Sequence, residues 1–157
     1  YWLGKMSAFT GAVQEEMVKL REEGKVRLLG VSIHDRPRAG KLAEDSILDL
    51  LMIRYNAAHP GAEQDVFPNL SRRHPVVVAY TATAWRKLLR PPSRWKGTVP
   101  TAGDCYRFCL SSPYVDVVLT GPRSRAEFRE NLAALDKGPL SEQETAEIRA
   151  FGAAVHG

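Results

Sequence analysis

The chain has 157 residues, of which 44% are hydrophobic and 25% charged, and it carries a net charge of +4. That is one domain's worth of ordinary globular material, too apolar for a disordered tail and too weakly basic to argue for nucleic acid. Two cysteines exclude a disulfide framework, and no apolar run is long enough to span a membrane, so the protein is expected to be soluble and cytoplasmic.

Tyr1 to Gly4 is a short apolar leader. Ala8 to Glu23 has Val13, Met17 and Leu20 at helical spacing, with Glu15, Glu16, Lys19, Arg21 and Glu22 on the wet side. Gly24 stops that helix. Lys25 to Val31 is a β-branched and leucine-rich run, which predicts a strand over 26–32 that ends in small polar residues at Ser32. Pro37 to Glu44 reads as a short helix with Ala39, Leu42 and Ala43 inward. Leu48 to Arg54 is nearly all apolar, as a strand covered on both faces should be.

A loop follows from Tyr55 to Glu63, and Gln64 to Arg73 reads as a short helix interrupted at Pro68. Val76 to Tyr80 is the third strand. Residues 90–103 hold Pro91, Pro92, Gly97, Pro100 and Gly103, which break any regular element there. Asp104 to Ser111 is a helix on which Cys105, Phe108 and Cys109 share a face, and Tyr114 to Leu119 is the fourth strand. Ser124-x-x-Glu127 and Ser141-x-x-Glu144 are capping-box patterns that open helices over 124–135 and 142–154. Strands alternating with helices mean parallel βαβ units and an α/β fold of one domain. The alternation alone fits a small open sheet as well as part of a barrel.

Several reactive side chains fall after the strands. His34 and Asp35 follow the first, and His59, Glu63 and Asp65 follow the second. Two histidines with carboxylates can hold a divalent metal and activate water, and a histidine beside a carboxylate can act as a general base without one. His34, His59, Glu63 and Asp65 are therefore the catalytic candidates of a hydrolase reading, for esters or phosphoesters. The paired cysteines read as core. Trp85 and Trp95 frame the irregular loop with Arg86, Lys87, Arg90, Arg94 and Lys96. No nucleic-acid motif accompanies them, and a lid over the site, or a surface covering an exposed sheet edge, is the more economical reading.

Gly24-Lys25-Val26-Arg27-Leu28-Leu29-Gly30-Val31-Ser32, followed in order by Ile53-Arg54-Tyr55-Asn56, Val78-Ala79-Tyr80-Thr81, Val117-Val118-Leu119-Thr120-Gly121-Pro122 and Glu130-Asn131-Leu132, resembles the second half of the aldo-keto reductases. The resemblance implies half of a (β/α)8 barrel, four parallel strands with flanking helices, in place of the roughly 250 residues a whole barrel needs. It also implies that the Asp, Tyr, Lys and His acid-base set of the family, carried on the missing strands, is absent, so hydride transfer from NADPH is not expected of the chain alone. The NADP side is retained by the same resemblance. Ser32 matches the residue at the nicotinamide carboxamide, Tyr80 the ring on which nicotinamide stacks, and Gly121, Arg123, Ser124 and Arg125 the phosphate loop. Glu130 and Asn131 match the pair at adenine. Ile33 and Met52 depart from the family's asparagine and glutamine.

Four strands cut from a barrel leave two unpaired edges and an open inner face, with Val31, Leu51, Ile53, Val77 and Val118 on the strands concerned. A homodimer that completes the barrel is the expected partner. Three functions remain: a nucleotide-binding half that takes an anionic small molecule, a hydrolase, and a non-catalytic assembly module.

Overall fold

The computed structural model describes residues 9–156. The leader Tyr1 to Gly4 and the predicted helix start at Ala8 lie outside the described residues. Four parallel strands form one sheet in the order β1-β2-β3-β4: β1 Gly30–Ile33, β2 Leu50–Arg54, β3 Val76–Tyr80 and β4 Val117–Val118. Six α-helices accompany them among the described residues: α1 Gly11–Glu22, α2 Arg36–Glu44, α3 Ala62–Asp65, α4 Ala102–Leu110, α5 Arg125–Leu135 and α6 Glu142–His156. The described chain groups into two compact units, residues 9–53 with 61–78, and residues 54–60 with 79–156.

In the first unit, Thr10 caps α1, and Gly24 ends it at φ +71°, a conformation that costs glycine little. The Gly24 N–H donates to the Arg21 carbonyl and the Lys25 N–H to the Leu20 carbonyl, both at 3.0 Å, which is the paired C-terminal closure of a helix. Asp35 caps α2 by accepting from the Arg38 N–H at 3.1 Å. Val31 pairs with Leu51 and Ile33 with Ile53, and all four are buried. The alternate residues Gly30, Ser32, Leu50 and Met52 are only half-buried. Val31, Leu51, Ile53 and Val77 thus all lie on covered positions, and Val118 is half-buried.

Three strands are shorter than their sequence predicts, and β2 starts at Leu50, two residues after the predicted Leu48. The run from Lys25 to Leu28 is exposed, Leu28 to 61%, and β1 begins only at Gly30. Pairing has to wait until Leu29, whose carbonyl accepts from the N–H groups of Asp49 and Leu50. The fourth strand shrinks from the predicted Tyr114–Leu119 to Val117–Val118 because an edge strand has a neighbour on one side only. Pro68 does interrupt its helix, leaving α3 and a short 3-10 turn at Phe67–Leu70.

The second unit is organised around α4. Thr101 and Asp104 form a reciprocal capping box that starts this helix two residues earlier than Asp104. Phe108 stacks on Tyr55 at 5.6 Å, and the Cys109 thiol donates to the Tyr55 carbonyl at 3.3 Å. Both cysteines are buried in the core; burial, and then the charge of Asp104, pushes the Cys105 thiol up to about 12, and burial, and then Cys105, pushes the Cys109 thiol up as well. A Cβ at Gly152 would run into the carbonyl of Ala57, so glycine is what lets α6 lie against that turn. Trp95, in the irregular loop, packs edge-on to Phe151 of α6 at 5.1 Å.

Arg107, 5% exposed, ties the helices together. Its Nε donates to the Gly138 carbonyl at 2.8 Å, one terminal nitrogen reaches Glu144 at 2.9 Å, and the other reaches the Pro139 carbonyl at 3.1 Å. The hydrogen bond from Arg107, and next the Ser141 N–H, lower the Glu144 carboxyl from its usual 4.5 to about 2. A folded value below the unfolded one stabilises above the unfolded value and loses that contribution as pH falls through the folded one. Glu144→Gln should therefore melt below the native chain above pH 4.5, and the gap should close between pH 4.5 and about 2. Melting temperatures of both proteins across that window measure it, and a gap independent of pH would contradict this account.

Candidate functional site: an Arg and Glu-lined cleft

In the second unit, the N-terminus of α5 opens into a cleft of about 280 Å³. Ser124 caps the helix by accepting from the Glu127 N–H at 3.2 Å. Glu127 reaches back past the cap, and its Oε2 accepts from the Arg123 N–H at 2.7 Å. Its other oxygen lies 4.0 Å from a terminal nitrogen of Arg86. Asn131, buried on α5, donates to the Thr120 hydroxyl at 2.9 Å, and that hydroxyl donates to the Tyr106 hydroxyl at 2.9 Å. This chain of bonds fixes the amide at the cleft wall. Gly121, Arg123, Glu130 and Asn131 line the cleft together, with Ser124 at its helix cap. Arg125, exposed on the first turn of α5, is not among the lining residues.

The sequence reading missed Thr83 and Tyr106, placed Arg86 only beside the irregular loop, and left Glu127 as a cap or a ligand contact. Arg86 reaches the cleft because the chain after β3 turns left-handed, with φ of +47° at Ala84, +54° at Trp85 and +68° at Arg86. None of these residues favours that region, so no local signal announced the turn. Tyr106 lies one position from Cys105 on a helix that reads as core, and its hydroxyl role depends on Thr120.

His59 belongs to the same unit. Asn56 is fully buried, and its Oδ1 accepts from the N–H of Ala58 at 3.0 Å and of His59 at 2.9 Å. Its Nδ2 donates to the Thr81 carbonyl at 2.8 Å. These partners fix the amide orientation, so the His59 Nδ1, 3.0 Å from Oδ1, must be the donor. The ring meets Trp85 and His156 edge-on, at 6.4 and 5.1 Å between centroids. Tyr80, half-buried, ends β3.

The remaining candidates are in the first unit. Ser32 lines an open groove of about 370 Å³ with Leu28, Gly30, Leu50 and Met52. His34 is exposed directly after β1, and Glu63 is half-buried in α3. Asp65 accepts from the Arg36 Nε at 2.9 Å. Among the described residues, no group of three or more His, Cys, Asp and Glu side chains is placed to hold a metal ion, and no helix is long and apolar enough to cross a membrane.

No family model matches the chain, and no curated protein matches it. Solved structures do. An aldo-keto reductase of Bacillus halodurans is similar in its apo form with a TM-score of 0.75 at 22% identity, over 96% of this chain and 59% of that one. Its holo form gives 0.77 at 22% identity, over 96% and 58%. An aldo-keto reductase of Brucella melitensis gives 0.62 at 16% identity, over 96% and 58%. The fold is that of part of an aldo-keto reductase barrel. The chain spans less than two thirds of the reductases it matches, and its strand order, β1-β2-β3-β4, is that of consecutive barrel strands.

Asn56→Ala takes the acceptor from the buried Ala58 N–H and from the His59 Nδ1. It should destabilise the protein by about 2 kcal/mol. Urea unfolding reads the loss, and an unchanged midpoint would show that the amide is dispensable.

Proposed function

We propose that the chain is the nucleotide-side part of an aldo-keto-reductase-like barrel, and that the cleft of the second unit takes the adenosine end of a nicotinamide dinucleotide. The observation that carries this reading is the convergence of the Arg86 and Arg123 side chains and the fixed Asn131 amide on one cleft at a helix N-terminus. The donor set fits an anionic nucleotide. The volume, about 280 Å³, fits its adenosine end rather than a whole dinucleotide. When bound, such a cofactor carries hydride. The residues of this chain would bind and orient it, and the proton-donating set that the resemblance assigns to other strands is not part of this sequence. The hydrolase reading has less support, since Asp65 is engaged by Arg36 and His59 by Asn56.

A second observation favours self-association. Phe128, Leu132 and Leu135 recur along α5 at 46%, 48% and 44% exposure, and Val117 and Leu119 are exposed at the β4 edge. A second copy of the chain is the occupant we assign to this surface. β1 and β4 are both edges, so a twofold axis can set β1 of each copy against β4 of the other and close eight strands.

Replacing Arg123 and Arg125 together by alanine should weaken calorimetric NADP binding by about tenfold, and an unchanged affinity would refute the anion assignment. NADPH absorbance should stay flat with a panel of aldehydes, whereas steady turnover by the pure chain would sink the claim of incompetence. Light scattering at micromolar concentration should give a dimer for the native chain and a monomer for Leu132→Glu. A native monomer overturns the assembly.

A further inference from the structure

We propose that Glu127 determines the specificity of the cleft, setting it against a ligand that carries a phosphate on the adenosine ribose and in favour of one whose ribose hydroxyls are free. This rests on the nucleotide reading above. The two groups a phosphate would use first, the Arg123 N–H and the Arg86 guanidinium, already face the two oxygens of the Glu127 carboxylate, at 2.7 and 4.0 Å. The anion seat is filled from within the chain.

A phosphate has two routes into such a seat. It can stay beside the carboxylate, where like charges a few ångströms apart repel. Or it can displace Glu127, which then loses its hydrogen bond and its cation together. Glu130 also lines the cleft, so the two carboxylates there match the guanidinium groups of Arg86 and Arg123 in number and leave no surplus of positive charge for a dianion. A ribose with free hydroxyls faces neither cost. It donates to a carboxylate and leaves the bonds of Glu127 in place, the way an acidic residue reads the ribose in dinucleotide sites generally.

NAD and NADP differ only in that phosphate, so they are the probes. The native chain should bind NAD at least as tightly as NADP. Glu127→Gln removes the charge and keeps an oxygen for the Arg123 N–H, so the helix cap is retained. It should tighten NADP by about tenfold and leave NAD no tighter, because a neutral amide oxygen is a weaker acceptor for a ribose hydroxyl than a carboxylate. Glu127→Ala, with Ser124 still capping α5, is a second variant expected to move the ratio the same way, and circular dichroism verifies that each variant is folded. If folded variants leave the NADP to NAD ratio at the native value, the role of Glu127 is wrong while the nucleotide site stands. If neither ligand binds the native chain or either variant, the nucleotide reading itself fails and takes this inference with it.

Discussion

The second unit depends on one buried amide. Asn56 sits where β2 has ended and the chain must turn, and it is fully buried. Its oxygen gathers the N–H groups of the turn and its nitrogen reaches the carbonyl of Thr81, just past β3. A buried amide left unpaired is costly, so the partners hold one another in place. The consequences run outward. The turn brings the Ala57 carbonyl against Gly152 of α6. Thr81 is held at φ +56°, a conformation a β-branched residue avoids, and the left-handed run that follows carries Arg86 to the cleft. One hydrogen-bond junction thus positions both a histidine tautomer and a cation at a candidate binding site.

The cleft itself is balanced rather than simply basic. Two arginines and two glutamates line it, and Glu127 serves both its helix and its neighbours by accepting from a backbone N–H of the cap region. The net charge of the chain, +4, does not foretell this local neutrality. Charge counted over a whole chain governs steering and solubility, whereas a site responds to the few groups within hydrogen-bond reach.

The sheet poses the opposite problem, apolar surface without cover. Each end of the order β1-β2-β3-β4 is an edge, and the flank at α5 keeps a row of large side chains in solvent. Soluble chains rarely leave such patches open. The matched reductases are longer by the share this chain does not span, which is the portion of the fold that would otherwise lie beyond these edges.

The sequence by itself determined the kinds of element and their order. Apolar runs gave the strands, helical spacing within 8–23 and 104–111 gave helices, Gly24 marked a helix end, and the serines at 124 and 141 marked helix starts. It also carried, through ordered short motifs, the resemblance that the fold bears out. These features are local, because a period, a cap or a left-handed glycine is decided by a few neighbouring residues. Only the tertiary structure decided where β1 begins and where β4 begins and ends, since a strand extends only as far as its partner does. Only the tertiary structure turned Ala84, Trp85 and Arg86 left-handed, placed Arg86 opposite Glu127, and chose which nitrogen of His59 holds the proton. Those outcomes depend on contacts between residues far apart in the chain, and side chains with no intrinsic preference for them leave no mark in the sequence.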